Sequence, residues 1–479
     1  MVLPTTLLGP LLFAVVSASP LPRAAALCLA VAAAFALRLY PRKAIDLGWR
    51  DLAAALCYSL VPGRESRRSL ERSITSAWSP RGDAVVHLSV RTGLDLLLRA
   101  LELPRGSKVL FVPGITIPGM VDIVEANGLV AVGVDPPSEK DLLVDELAPY
   151  ITEDTRMLVV THLFGTVFDA TRLIREAKER GLFVLEDCAQ AFLGAPSASA
   201  VGSGAPRCRD GFRGSEGVDA AYVSFGTMKT LTALGGCLGF IRDPSLRDRV
   251  EKEQETLPTR STFQFFTVVL KGSLIKLLGH PCAWGLAAAL CSLMGVDFDA
   301  LIIGSVRGFP DASSIRQRPC RALLRLLRRR IGSQQLACLE EVRGASAAAS
   351  TVASRCQIGT LLANRLKEGG TTVLTHNAGV NSWWLLPVVA EDPKGMVRGL
   401  WARGFDATCT STQLRRVPKS AGPGCKDIMD RVVFLPLTPQ LPRAAAKSRR
   451  RHAHDFPEVR ADCLDRRQAP LAAPPAPIR

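Results

Sequence analysis

Lys229 lies five residues after Ser224 in the run SFGTMK, and Asp187 closes the apolar run LEDC just before Ala189 and Gln190. Singly, a loop lysine is a solvated charge and an aspartate at a strand end is a cap. Together they describe a chemistry. A lysine amine forms a Schiff base with an aldehyde, and a carboxylate facing a pyridine nitrogen keeps that ring protonated, which makes it an electron sink. A helix start with small and hydroxyl side chains cradles phosphate. Arg91-Thr92-Gly93, opening a helix that leads to Leu101, has that form. Aldehyde, pyridinium and phosphate are the three handles of pyridoxal phosphate.

The elements that would position these groups are alternating strands and helices. Apolar runs at 108–114, 129–136, 157–165, 182–188, 220–226 and 237–243 read as strands. Between them a helix is expected from Pro118 to Asn127. Another is expected in DATRLIREAKERG, where Leu173, Ile174 and Ala177 share one face. Strands apolar on both faces and separated by helices predict a mostly parallel sheet covered on both sides, with ligands at the strands' carboxyl ends. Residues 191–218 read as a Gly/Ser/Ala/Pro-rich loop, and 262–310 as apolar helices too short to span a bilayer singly. In 316–332, Leu323, Leu324, Leu326 and Leu327 oppose Arg321, Arg325 and Arg328. Such a basic amphipathic helix suits a membrane surface or phosphates, and more commonly the surface of a globular domain. A helix from Cys338 to Leu366 and strands in WWLLPVVAEDP and RVVFLPL give a smaller C-terminal α+β unit.

The chain has 479 residues and a net charge of +16, from 60 Lys+Arg against 44 Asp+Glu, yet its mean hydropathy is +0.17. That size buries a large core and excludes a disulfide-stapled mini-protein or a wholly disordered chain. The 13 cysteines form no Cys-x-x-Cys pair, so no metal site is expected and a reducing compartment is. Residues 1–37 carry one charge, Arg23, and are followed by Arg38, Arg42 and Lys43. Three readings stand for this segment: a membrane anchor or hairpin, a cleaved targeting signal, or an arm packed on the protein. The basic flank places a cytoplasmic face just after residue 37. Residues 443–479 hold nine Lys/Arg against four Asp/Glu and end in APLAAPPAPIR, a basic disordered tail by composition. No aromatic-interleaved basic motif accompanies the charge, which excludes a nucleic-acid binder from the expectations.

In the order and spacing of its motifs the chain resembles the DegT/DnrJ/EryC1/StrS sugar aminotransferases, a branch of the fold-type I pyridoxal-phosphate enzymes. The likeness runs from about residue 84 to 441 and rests on SVRTGLDLLLRAL (89–101), VPGIT (112–116), HLFG (162–165), EDCAQ (186–190), SFGTMK (224–229) and TALGG (232–236). The resemblance implies that Lys229 holds the cofactor as a Schiff base and shuttles the proton. It implies that Asp187 pairs with the pyridine nitrogen, Gln190 with the ring hydroxyl, and Ala189 packs beneath the ring. Thr92, Gly93 and Ser224 would bind phosphate, and His162 would support the site. Two departures stand out. Ile117 occupies the position where the family has a ring-stacking aromatic. The Asn-Tyr-Arg-Met motif that reaches the partner subunit is replaced by RQRPC (316–320), with Arg318 the nearest analogue.

The expected architecture is an α/β fold-type I transferase in four parts. These are an apolar N-terminal extension (1–80), a large cofactor domain (81–332, with a helical insertion at about 262–330), a small C-terminal domain (333–442) and the tail (443–479). The expected activity is amino transfer from a donor such as glutamate to a keto-sugar, typically nucleotide-linked, in a homodimer. Because the dehydratase branch of the family replaces the lysine by histidine, Lys229 favours transamination. Two alternatives remain open: a pyridoxal-phosphate enzyme acting on a lipid-linked or membrane-delivered substrate, and a catalytically inactive membrane-bound homologue.

Overall fold

Valine, leucine and phenylalanine alternate between two faces in β2 (Lys108–Val112), and that alternation divides the core. A computed structural model describes residues 38–438 except 43, 80, 138–141, 192–212, 307–311, 343–350, 375–379, 410–413 and 420–421. Val109 and Phe111 face α3 (Val90–Leu101), α4 (Pro118–Ala126) and α6 (Pro244–Thr256), packing with Leu94, Leu97, Met120 and Val250. Leu110 and Val112 face α5 (Thr171–Glu179), whose Leu173, Ile174 and Ala177 are buried as the helical spacing predicts.

Seven strands form the sheet, in the order β1-β9-β8-β7-β5-β2-β4. Parallel pairing joins β4 (Val130–Gly133), β2, β5 (Thr155–Thr161), β7 (Phe183–Asp187) and β8 (Ala220–Ser224). The other two are antiparallel: β9 (Cys237–Ile241) against β8, and β1 (Ala84–His87) against β9. The sheet is therefore mostly parallel and clothed by helices on both faces. Strand β1 was not among the expected strands.

The first 80 residues do not form one extension. Residues 1–37 lie outside the described residues, whereas α1 (Trp49–Leu60) and α2 (Arg67–Trp78) belong to the body. Leu52, Leu70, Ile74 and Trp78 share a buried cluster with Val223 and Phe240 of the sheet. Arg42, from the basic run that follows residue 37, is built into the body. Its guanidinium is buried and makes a fork to Asp406 (2.9 and 2.6 Å), with Asp299 at 2.5 Å.

The leucine–arginine helix is α11 (Arg321–Val342), and both of its faces are used inside the molecule. Leu323, Leu324, Leu326 and Leu327 are fully buried. Arg325 stacks 4.0 Å from the Tyr58 ring centroid and donates to the Val61 carbonyl, while Arg328 forks onto Glu65 and Arg330 reaches Asp51. The globular-surface reading holds for this helix. The expected helix from Cys338 to Leu366 corresponds to two, the end of α11 and α12 (Thr351–Glu368), separated by residues outside the described set.

Strand β11 (Leu386–Val389) pairs antiparallel with β13 (Val432–Leu435) in the C-terminal unit, beside α12, α13 (Pro393–Ala402) and α14 (Gly424–Arg431). Two short ladders tie this unit to loops at the sheet's carboxyl edge. β10 (Val380–Asn381) pairs with β6 (Thr166–Val167), and β12 (Arg415–Arg416) with β3 (Ile115–Thr116). Residues 192–212 of the expected loop at 191–218, and the whole tail at 443–479, fall outside the described residues.

Candidate active site

The parallel register sets Thr161 opposite Asp187 and Asp187 opposite Tyr222. Three adjacent strands therefore deliver His162, Asp187 and Ser224 to one edge. Beyond Ser224 the chain folds back sharply: Phe225 donates to Gly236, Ala233 and Gly235 donate to Phe225, and Lys229 N–H donates to Gly226 (2.9 Å). This closed loop carries Lys229 to the same edge. Gly236, at φ +94°, has the Leu327 side chain 3.2 Å from where a Cβ would stand, so the loop's return to the sheet needs glycine there.

Lys229 is half-buried. Its Nζ stands 4.1 Å from the centroid of the Trp384 ring, and Trp384 Nε1 donates to the Met228 carbonyl (2.9 Å), which fixes the indole. Burial lowers the amine to about 8; Asp187 acts against that shift and Arg91 reinforces it. Asp187 is buried and accepts from the Ala189 N–H (2.9 Å). Burial raises its carboxyl, and the Ala189 N–H and the charge on Lys229 only partly offset the rise. Ala189 is partly buried and, like Ile117, packs against the core on one side of the sheet.

His162 and Gln190 are positioned by main-chain groups. Phe168 N–H donates to His162 Nδ1 (3.0 Å), so Nε2 carries the proton and donates to Glu186 Oε1 (3.2 Å). Ser215 donates to Glu186 through its N–H and its hydroxyl (both 2.6 Å). Burial alone would raise the Glu186 carboxyl, but these bonds hold it below its usual range. Cys188 lies within ligand distance of this pair. Burial pushes its thiol well up, while His162 and Glu186 are hydrogen-bonded to each other and to Phe168 and Ser215. Gln190 Oε1 accepts from Phe164 N–H (2.9 Å), which leaves its NH2 as the outward-acting donor.

Thr92 and Gly93 depart from expectation. The Thr92 hydroxyl donates to the Ile315 carbonyl (2.8 Å), its N–H is capped by Ser89 Oγ, and Gly93 N–H donates to the Ser89 carbonyl. Both residues are buried, and these groups satisfy the helix start from within. Gly93 instead makes room for Tyr222: an added Cβ would sit 2.8 Å from that ring, whose hydroxyl donates to the Gly93 carbonyl. Ser224 stays half-exposed, with its Oγ accepting from Gly226 N–H (3.3 Å). Arg318, the expected analogue of the family's partner-reaching arginine, is bound to Glu255 (2.6 Å) on its own chain.

Sequence reasoning named Arg91 only as the start of the helix run, gave it no role of its own, and passed over Trp384. Arg91 leads the phosphate-type helix, packs its stem against Gly119 at the start of α4, and lies close enough to Lys229 to act on its charge. Asp187 acts on the charge of Lys229, and Asp122 on that of Arg91.

Residues 63–287 match the sequence model of the DegT/DnrJ/EryC1/StrS aminotransferase family. That segment, just under half of the chain, resembles the family. GDP-perosamine synthase of Escherichia coli is 31% identical over 157 residues, covering 33% of this chain and 39% of that protein. A dTDP-3-amino-3,6-dideoxy-alpha-D-galactopyranose transaminase of Aneurinibacillus thermoaerophilus is 29% identical over 162 residues, covering 29% and 43%. The chain therefore spans about two fifths of the length of these DegT-family relatives. Among solved structures, a Helicobacter pylori aminotransferase involved in pseudoaminic acid biosynthesis superposes with a TM-score of 0.57 at 15% identity, covering 85% of this chain and 96% of that one. A sugar aminotransferase of Micromonospora echinospora gives 0.55 at 20% identity, covering 85% and 97%. The fold-type I architecture is thereby shared over nearly the whole described body.

Proposed function

We propose that this protein is a pyridoxal-phosphate-dependent aminotransferase that moves an amino group from a donor, glutamate being the expected one, to the keto group of a nucleotide-linked sugar. The observation that carries the proposal is the meeting of Lys229, with its amine lowered to about 8, and buried Asp187 at the sheet's carboxyl edge. Pyridoxal phosphate supplies an electron sink when bound. The residues present fit it: a raised, buried carboxyl is what a protonated ring nitrogen would stabilise, and partly buried Ala189 leaves a flat floor. Ile117 would cover the ring from the other element, without the π contact of an aromatic.

In this reading Lys229 Nζ holds the cofactor and later takes and returns the proton at the reacting carbon. An amine near 8 is well matched to that exchange at neutral pH. Gln190 NH2 would donate to the ring hydroxyl, while Phe164 N–H keeps the amide from turning. His162, protonated at Nε2 and hydrogen-bonded to Glu186, holds the Asp187 end of β7 by donating its N–H to the Asp187 carbonyl (3.0 Å). Ser224 and Arg91 take the phosphate role; Thr92 and Gly93, expected there, shape the helix start instead.

The reading extends to a homodimer, and to membrane attachment through residues 1–37 with the catalytic body in a reducing compartment. The apolar composition of that segment and the free thiols among the described cysteines support it. The test is single-turnover amino transfer from glutamate to a panel of GDP-, dTDP- and UDP-linked keto-sugars, with products identified by mass. Formation of an amino-sugar nucleotide is expected. Amino transfer confined to a lipid-linked sugar, or none with a loaded cofactor, would overturn the soluble-nucleotide assignment.

A further inference from the structure

Among the described residues, two consecutive helices carry rows of exposed apolar side chains. Helix α7 (Thr262–Leu278) buries Phe265, Val269 and Gly272 against the body, and its other side presents Phe263, Leu270, Leu274 and Leu277 to solvent. Their spacing of seven, four and three residues makes one stripe along the helix. Helix α8 (Pro281–Leu293) repeats the arrangement. Trp284, Ala288 and Cys291 are buried, while Leu286, Leu290 and Leu293 are about half-exposed, and Met294 follows at 67%. The two helices meet at a bend of 99°, and among the described residues no single helix is long and apolar enough to cross a membrane.

Two features bear on what covers these stripes. First, the chain enters the described structure beside them. Leu39 N–H donates to the Pro281 carbonyl (3.1 Å), and its side chain packs with Trp284, Ala288, Cys291 and Phe298. Residues 1–37, whose one charged side chain is Arg23, come just before this contact in the sequence. Second, residues 262–296 contain Lys271 and Lys276 and no acidic side chain, so the surface carries positive charge beside its leucines. Exposed leucine and phenylalanine with interspersed lysine is the composition of a surface that lies in the headgroup and acyl boundary of an anionic bilayer.

We propose that the bent α7–α8 pair is a monotopic lipid-binding surface that rests in one leaflet, so that the body is held at the membrane by two contacts, this surface and the segment preceding Arg38. The proposal deepens the membrane attachment proposed above and is independent of the chemistry at Lys229. Two attachment points fix the orientation of the body relative to the bilayer, which a single apolar segment would leave free to rotate.

The experiment uses the full chain and vesicles of phosphatidylcholine with phosphatidylglycerol. Hydrogen exchange is followed by mass spectrometry with and without lipid, and carbonate-resistant binding is measured by flotation. Peptides covering 262–293 are expected to slow their exchange on lipid binding. The triple variant Leu274→Asp/Leu277→Asp/Leu290→Asp is expected to lose that protection and to lower the carbonate-resistant bound fraction at least fivefold. Leu274→Phe, which keeps the apolar character, should bind as the parent does, and cofactor absorbance at Lys229 should be equal in all three. Lipid binding by the triple variant equal to the parent's would overturn the proposal and leave the N-terminal segment as sole anchor. So would a parent that ignores vesicles, whether it is monomeric or forms an assembly that the triple variant dissolves. Loss of cofactor absorbance with intact lipid protection would instead count against the activity assigned to Lys229.

Discussion

The sheet's carboxyl edge and the α7–α8 pair are both built from runs of leucine, valine, alanine and phenylalanine, yet they close their surfaces in opposite ways. At the edge, apolar strands are covered on both faces and the polar groups they carry are held by named partners: Gln190 by Phe164, His162 by Phe168 and Glu186, Asp187 by Ala189. On α7 and α8 the same residue types stand half or more exposed. Hydropathy does not separate the two. What separates them is whether neighbouring elements supply a cover, and that is decided by the fold.

The comparison breaks most visibly at Lys229. Lys229→Ala should lower turnover by about a thousandfold or more and remove cofactor absorbance, read by steady-state kinetics and visible spectroscopy on folded protein. A variant that keeps a tenth of the activity would mean that the edge is not the active site. Next come the buried leucines. Leu327→Ala, within the core that supports the lysine loop, should cost about 2–5 kcal/mol in denaturant unfolding. Leu274→Ser, on the exposed stripe, should stay within about 0.5 kcal/mol. Equal costs would mean that the stripe is covered in the free protein.

The pH dependence of cofactor capture sharpens the account of the edge. A neutral amine is the nucleophile, so the second-order rate of capture by the cofactor-free protein should rise about tenfold per unit below pH 8 and level above it. Arg91 lowers the lysine, so Arg91→Met should move that inflection upward. An inflection that stays in place would remove Arg91 from the site. His87 gives a contrasting signal in stability. It is fully buried, and burial lowers it to about 4, with the hydrogen bond to Gln254 acting the other way. Its stabilising effect as a neutral ring is complete above the unfolded value near 6.5 and is lost as pH falls through the window to about 4. That is worth about 3 kcal/mol, and His87→Gln should flatten unfolding measurements across the window.

The convergence of the candidate site was legible because its residues stand in short consecutive runs at strand ends. EDCAQ and SFGTMK each pack an obligatory side chain beside its supports, and parallel strand register brings the two runs together. The contributors that escaped reading are those whose meaning comes from distant contacts. Trp384 lies more than 150 positions from Lys229, in a run that read as a strand of another unit. Arg91 stood inside a motif noticed for its hydroxyl and its glycine. Thr92 looked like a phosphate ligand because its type fits a helix start, but Ile315, 223 residues away, takes its proton. The arginines of α11 looked like a charged outer face, and their partners Glu65 and Asp51 lie some 260 or more positions upstream. Strand β1 is only four residues long and depends on antiparallel pairing with β9.

The central claim, that Lys229 is the cofactor-bearing amine, meets its most direct test in reductive trapping. The protein is incubated with pyridoxal phosphate, treated with borohydride, digested and mapped by mass spectrometry. The account predicts one stoichiometric phosphopyridoxyl mass on the peptide containing Lys229, preceded by a visible absorbance that borohydride removes. No absorbance, or label spread over surface lysines with Lys229 unmodified, would contradict it.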